Sequence, residues 1–112
     1  MIKSGHADHC RRTLRGFVES LAGHKDQPAV KAALDAWFDE AKRARWRNMI
    51  EVRRSYATAS IVTAERIVFN VKGNTYWLVA AADFEKGIVW IKWIGAHRDY
   101  DRIDVTEVEH ER

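Results

Sequence analysis

The chain has little of several residue types that mark particular classes of protein. It contains one Pro, six Gly and one Cys in 112 residues, while 46% of the residues are hydrophobic. This balance excludes a fibrous or disordered chain. The lone Cys10 excludes an internal disulfide and fits a reducing compartment. We expect one globular domain spanning residues 1–112.

Long apolar runs are also missing. No window approaches the ~20 uninterrupted apolar residues that a membrane span requires, and Met1 to Leu21 lacks the apolar core of a secretory signal. We find no internal repeat and no linker. The expectation is a cytoplasmic protein without a membrane partner.

Positive charge is concentrated in the first half of the chain. Twelve of the 19 Lys and Arg precede residue 59, against seven of the 16 Asp and Glu. Within residues 41–56, Glu51 is the single acidic residue among the cations Lys42, Arg43, Arg45, Arg47, Arg53 and Arg54. This segment is either a phosphate-binding surface or a solvated helix face. Trp46 fits both readings, because it could also anchor the core.

Two amphipathic helices are predicted in the first half. Apolar residues recur at helical spacing in a first helix over Asp8 to Ala22, and Gly23 is placed to end it. Asp26 is the predicted N-cap of a second helix with Pro28 in its first turn. The apolar stripe of that helix comprises Val30, Ala33, Leu34, Trp37, Phe38 and Ala41. A short basic helix is predicted over Asn48 to Ser55.

Four strands follow, over Ala59–Val62, Arg66–Val71, Thr75–Ala82 and Ile88–Ile94. Tight turns at Lys72-Gly73-Asn74 and Glu85-Lys86-Gly87 make consecutive strands antiparallel, with positive φ expected at Gly73 and Asn74. The predicted fold class is therefore α+β. Two N-terminal helices pack on one face of a small, mainly antiparallel four-stranded sheet, and a short C-terminal helix follows in HRDYDRID.

Strand alternation assigns side chains to two faces of this sheet. The face toward the helices should receive Ile67, Phe69, Val71, Val89, Ile91 and Trp93. The opposite, open face should receive Arg66, Val68, Asn70, Lys72, Trp90, Lys92 and Ile94, with Trp77 nearby. We expect Trp37 and Trp93 in the core, and Trp77 and Trp90 exposed.

His6, His9 and Cys10 are spaced as in some metal sites, but a fourth ligand at suitable spacing is missing. Cys10 shares helical spacing with Leu14, which favours a core position over a nucleophile. We therefore predict no metal site and no cofactor.

The strings VFNVKGN, YWLVAA, VWIKWIGAH and YDRID, in this order after two helices, resemble the HigB family of bacterial toxins, within the RelE/ParE-like superfamily. The resemblance covers most of the chain and is densest from Arg66 to Asp104. It implies a toxin of a type II toxin-antitoxin system that cleaves mRNA, usually at the ribosome. It also implies a helix-turn-helix antitoxin of the HigA type, with operator DNA contacted only through that antitoxin.

The implied reaction needs no metal, because the 2′-hydroxyl of the RNA attacks the adjacent phosphorus. By resemblance, Lys92 stands where similar toxins place an arginine for phosphate charge. His97 matches a recurrent histidine, a residue type that serves as acid or base near neutral pH. Tyr100 is the candidate for base stacking or proton donation. The predicted catalytic residues are thus Lys92, His97 and Tyr100.

The remaining predicted site residues bind RNA, and they are Arg66, Asn70, Lys72, Asn74, Trp77, Arg98, Arg53 and Arg54. The chain departs from the family where GNTYWL replaces the typical GNKYRL, so Thr75 and Trp77 stand in place of two cations. This implies either a weakened endoribonuclease or one that relies on Lys72, Lys92 and Arg98. Trp77 could also stack on a base or contact the antitoxin.

A second function of a different class stays open. Members of the wider superfamily of the ParE type inhibit DNA gyrase without catalysis, and the cations of such a protein would only steer it to its target. A pure binder has little need of a histidine and a tyrosine at the end of a cationic strand, so His97 favours the endoribonuclease.

Overall fold

The computed structural model describes residues 1–2, 4–73, 75–106 and 108, with residues 4–6 described by backbone only. Its elements, in chain order, are α1 (Ser4–Ser20), α2 (Gln27–Arg43), α3 (Met49–Ser55), β1 (Ser60–Ile61), β2 (Arg66–Val71), β3 (Tyr76–Asp83), β4 (Ile88–Ala96) and α4 (His97–Tyr100). The predicted α+β class is confirmed. Among the described residues, no helix is both long and apolar enough to cross a membrane.

Helix α2 forms as its apolar stripe predicts. Val30, Leu34, Trp37, Phe38 and Ala41 are all buried. The Trp37 ring meets the Phe69 ring of β2 edge to face, with 5.5 Å between centroids, a geometry that aromatic pairs favour. The stripe thereby fixes α2 on the sheet. Helix α1 begins four residues before the predicted Asp8, where no apolar periodicity marks its start, and it ends two residues before Ala22.

Asp26 holds the N-cap position of α2, but its side chain makes no capping hydrogen bond. Instead its buried carboxylate accepts a hydrogen bond from the Tyr76 hydroxyl at 3.1 Å and pairs with Lys72 Nζ at 3.3 Å. Burial acts to raise the pKa of Asp26, but the bonds from Tyr76 and Lys72 outweigh it and lower that pKa below its usual value. Asp26 therefore ties α2 to the β2–β3 hairpin, a role that its spacing did not reveal.

The four strands are antiparallel throughout and lie in chain order in the sheet. Ile67, Phe69 and Val71 join the core under the helices, as predicted. At the hairpin after β2, positive φ occurs at Lys72 (50°) and Gly73 (64°). The predicted pair was Gly73 and Asn74, and Asn74 lies outside the described residues. Two consecutive positive φ values suit a tight hairpin with right-handed strand twist.

One β-bulge changes the face assignment of β4. Val79 pairs with Trp93 while Ala80 pairs with Ile91, so Lys92 is an extra residue in the ladder. Strict alternation placed Trp93 toward the helices and Ile94 on the open face, and both predictions are wrong. Trp93 lies on the open face, where its ring meets that of Tyr100, while Ile94 packs against the core.

Candidate functional site

Four rings meet on the open face at the end of β4. The centroid of the Trp77 ring lies 4.3 Å from that of His97 and 4.4 Å from that of Tyr100. Trp93 meets Tyr100 edge to face at 6.1 Å. We call Trp77, Trp93, His97 and Tyr100 the aromatic cluster. It brings together His97 and Tyr100, two of the three predicted catalytic residues. Trp77, which departs from the family pattern, contacts both.

Local sequence explains why these rings converge. His97 and Tyr100 are three residues apart on the single turn of α4, so they share one face of that turn. Trp77 on β3 is in register with Gly95 on β4. A Cβ at Gly95 would lie 2.6 Å from the Trp93 ring, so glycine is what lets that ring rest on the strand. The cluster therefore depends on one glycine as well as on its aromatic residues.

The chemistry of Tyr100 follows from its surroundings. Its side chain is half-buried, and burial together with the neighbouring Asp101 carboxylate raises the pKa of the phenol. The phenol thus keeps its proton near neutral pH and can donate a hydrogen bond or a proton. His97 is exposed beside it, and an imidazole can accept a proton in the same pH range.

Lys92 lies next to Trp93 but apart from His97 along the strand. His97 is five residue steps further on, which corresponds to roughly 16 Å at the rise of a β-strand. Its side chain is half-buried at the bulge. Arg98 is exposed and adjacent to His97, and its charge acts to lower the pKa of Tyr76, which burial raises. Arg98 is therefore adjacent in sequence to His97 of the cluster, and its charge also acts on Tyr76.

Two predicted RNA-binding cations are held by the protein itself. Lys72 pairs with Asp26 as described above. The Arg66 guanidinium donates to the carbonyl oxygens of Val105 at 3.2 Å and Val108 at 2.6 Å, so it fastens the C-terminal segment to the sheet. Asn70 is exposed on the open face. Their roles in RNA binding stay predictions, as does that of Asn74, which lies outside the described residues.

The basic segment divides into a buried anchor and exposed charges. Trp46 is buried, and its Nε1 donates to Ser55 Oγ at 3.2 Å, which settles its role as core. Arg53 and Arg54 are exposed on the last turn of α3, and Arg53 donates to the Ala57 carbonyl at 3.3 Å. Lys42, Arg43, Arg45 and Arg47, which the sequence analysis counted in this basic segment but not among the RNA-binding residues, line one depression.

Cys10 belongs to the core, as predicted from its spacing with Leu14. The thiol is fully buried, and burial raises its pKa to about 11, which keeps it protonated and unreactive at neutral pH. Within the described part of the chain, no three His, Cys, Asp or Glu side chains are grouped so that they could hold a metal ion. The His6 side chain of the HxxHC pattern lies outside that part.

Sequence reasoning also did not place Trp93 in the aromatic cluster. It predicted Trp77 and Trp90 to be exposed, whereas both are half-buried. Gly95 was the available signal, because a glycine two residues after a tryptophan on one strand face leaves room for the indole. The bulge that brings Trp93 to that face has no mark in the apolar pattern.

The family model of the HigB toxin, described as the RelE-like toxic component of a toxin-antitoxin system, matches residues 30–103. This chain belongs to the HigB toxin family. The match runs from within α2 to just past α4, so it includes the whole sheet and every member of the aromatic cluster. Comparison with individual curated proteins gave no match. As a HigB-family toxin, the protein has an antitoxin as its partner.

Proposed function

We propose that this HigB-family toxin is an endoribonuclease that cleaves mRNA at the ribosome, in the cytoplasm. The observation that carries the proposal is the joint contact of His97 and Tyr100 with Trp77 at one end of the sheet. A proton acceptor, a protonated phenol and a flat ring stand side by side there. Such a set suits general acid–base chemistry on an RNA strand.

The reaction is a metal-independent transesterification. The 2′-oxygen forms a bond to the adjacent phosphorus while the bond from phosphorus to the 5′-oxygen breaks, which leaves a 2′,3′-cyclic phosphate and a free 5′-hydroxyl. His97 accepts the proton of the 2′-hydroxyl, and Tyr100 gives a proton to the departing 5′-oxygen. One proton is taken and one is supplied, so the step needs no further reactant. The raised pKa of Tyr100 means that the phenol enters this step with its proton in place.

Negative charge that develops on the phosphate needs a cation. Arg98 lies next to His97 in sequence and takes this role in our proposal, and its planar fork can bind two phosphate oxygens. Lys92, farther along β4, contacts a neighbouring phosphate. Exposed Asn70 and the hairpin cation Lys72 extend the strand contacts, with Arg53 and Arg54 as outlying charges.

Trp77 stands where the family has an arginine, and its indole still offers a surface for contact with RNA. In our proposal the indole stacks on a base next to the scissile bond, and such stacking contributes about 1–3 kcal/mol in single-strand binders. Its rings already pack against His97 and Tyr100. A stacked base would therefore bring its own phosphate to both groups. The antitoxin is proposed to be a helix-turn-helix protein of the HigA type, and contact with operator DNA occurs through it.

The test is to express the toxin with His97→Ala, Tyr100→Phe, Arg98→Gln or Lys92→Ala, and to map mRNA 5′ ends and growth. His24→Ala, at an exposed histidine in the α1–α2 loop, is the matched control. We expect loss of cleavage with His97→Ala and unchanged cleavage with His24→Ala. Cleavage that persists in all four site variants contradicts the proposal. Growth arrest with intact mRNA and altered DNA supercoiling would instead favour a gyrase inhibitor of the ParE type.

A further inference from the structure

A depression lies at the end of β4 remote from the aromatic cluster. It forms where the linker between α2 and α3 passes the β3–β4 hairpin, and its apolar floor comprises Met1, Ile2, Trp46 and Phe84. Its rim carries Lys42, Arg43, Arg45 and Arg47, all exposed. None of the described residues that line it is acidic. Its chemistry is therefore that of an anion site over an apolar base.

The fold orients these cations outward. Trp46 is buried between Arg45 and Arg47, and its ring meets Tyr56 edge to face at 6.3 Å. Because neighbouring residues of an extended segment point to opposite sides, burial of Trp46 leaves the two arginines toward solvent. The linker is thus anchored at its centre and presents two guanidinium groups to solvent.

Two nearby negative groups, the Glu51 carboxylate and the C-terminal end of α2, already have partners. The Glu51 carboxylate accepts from the backbone N–H of Arg47 at 2.9 Å and from Arg47 Nε at 3.1 Å. The carbonyl oxygens of Ala41 and Ala44 at the end of α2 accept from the Met1 ammonium at 2.6 and 2.7 Å. The partial negative charge that a helix C-terminus carries is therefore covered. Among the cations of the rim, this leaves Lys42, Arg43 and Arg45 for an external anion.

We propose that this cationic depression is a second binding site for the phosphodiester backbone of RNA. It binds the strand at a distance from the site of cleavage. The inference rests on the proposed function for its choice of RNA. Eight residue steps from Ile88 to Ala96 put the depression roughly 26 Å along β4 from the end of the strand that leads to His97. Only an RNA longer than a few nucleotides can touch both. The site thereby selects long or ribosome-bound strands over short fragments.

The experiment compares Arg43→Gln with Arg45→Gln in one double variant against a control double variant, Arg12→Gln with Arg15→Gln on α1. Both pairs are exposed and remove the same charge. The probe is single-stranded RNA with 2′-O-methyl groups, which cannot undergo transesterification, so binding is measured apart from cleavage. A 20-nucleotide probe is followed by fluorescence anisotropy over a range of KCl concentrations. A trinucleotide is followed through the NMR signal of the Trp77 indole N–H.

For the long probe, the depression variant should lose affinity by about tenfold, and the slope of log K against log[KCl] should become shallower by about 1.4, as ~0.7 per phosphate contact on a single strand predicts. Trinucleotide binding should stay within twofold, and the control variant should bind both probes nearly as the parent does. A second arm repeats the measurement with small ribosomal subunits. Loss confined to that arm assigns the anion to ribosomal RNA and still supports the proposal.

Equal losses in the two double variants would overturn the inference, since they would show only a general effect of net charge. The inference would also be overturned if neither the long probe nor the ribosomal subunits showed a loss of binding. If the depression variant instead loses only its complex with the antitoxin, the site serves an acidic protein segment and the proposal is wrong. If the His97 experiment contradicts the proposed function, these binding results can still be interpreted. The two proposals can therefore fail separately.

Discussion

The two faces of the sheet use aromatic residues in opposite ways. On the helix-facing side, Phe69 is closed off by Trp37 and by Tyr56, whose ring lies 5.0 Å away edge to face. On the open face, Trp77 packs instead against an exposed histidine and a titratable phenol. Similar ring geometry therefore serves stability on one face and places reactive groups on the other. Ring contacts alone do not tell the two apart, whereas their access to solvent does.

The largest expected effect separates the faces directly. His97→Ala should lower mRNA cleavage by about 10²–10⁴-fold, the usual contribution of general acid–base catalysis, with little change in unfolding free energy. Phe69→Ala should do the reverse and lower the unfolding free energy by about 3–5 kcal/mol, because it opens a cavity in the core. Cleavage rates and denaturant unfolding measure the two. If both variants lose stability alike, the contrast between the faces fails.

An intermediate effect is expected at Gly95, where the open face allows no side chain. Gly95→Ala places a methyl group 2.6 Å from the Trp93 ring, so the indole must move, at about 1–3 kcal/mol. Cleavage should fall as the aromatic cluster shifts. Gly16→Ala is the matched control, because nothing lies within 4 Å of its added Cβ and alanine favours a helix. Tm and cleavage rates at both positions check this. Unchanged values for Gly95→Ala would contradict the packing of Trp93.

The smallest expected effect concerns the link between the helices and the hairpin. The pKa of Asp26 is lowered in the folded state, where burial opposes the shift and the bonds from Tyr76 and Lys72 drive it. Its contribution to stability is therefore present above the unfolded pKa of ~3.9 and lost as pH falls through the lower folded value. Asp26→Asn should destabilise the protein modestly at neutral pH, and the difference should shrink below about pH 4.

Urea unfolding of both proteins across pH 2.5–7 measures this difference, with the exposed Asp35→Asn as control. A difference that stays constant over that range would show that the ionised carboxylate contributes nothing through its partners. A difference that grows in acid would mean that the pKa of Asp26 is raised instead.

Much of the fold could be predicted because its signals are local. β2 has the predicted bounds, and the α2 stripe is buried as its 3.6-residue period requires. The errors arise where one extra residue shifts the alternation of a strand, or where residues far apart in the chain contact each other. Lys92 adds a step to β4 that no apolar pattern marks, and Asp26 forgoes its capping bond for a partner 50 residues away.

The candidate site was predicted in part for the same reason. His97 and Tyr100 were assigned to one site by the family resemblance, and their spacing on the turn of α4 brings them together in the structure. Trp93 was assigned to the wrong face, and Lys92 was expected beside His97, whereas the length of the strand between them separates the two. Arg66 was expected to face RNA, but its partners Val105 and Val108 come from a segment that sequence spacing could not bring to it.

The bulge at Lys92 decides which face of the sheet the following side chains of β4 reach. Plain two-residue alternation that kept Lys92 but lacked the bulge would send the Trp93 indole under the helices and turn the Ile94 side chain out. A sequence one residue shorter at Lys92 would therefore present the same surface without a bulge, whereas one of equal length without the bulge would present a different surface at this end of the sheet. Relatives are better aligned here by counting residues back from Gly95 than by matching hydrophobic letters.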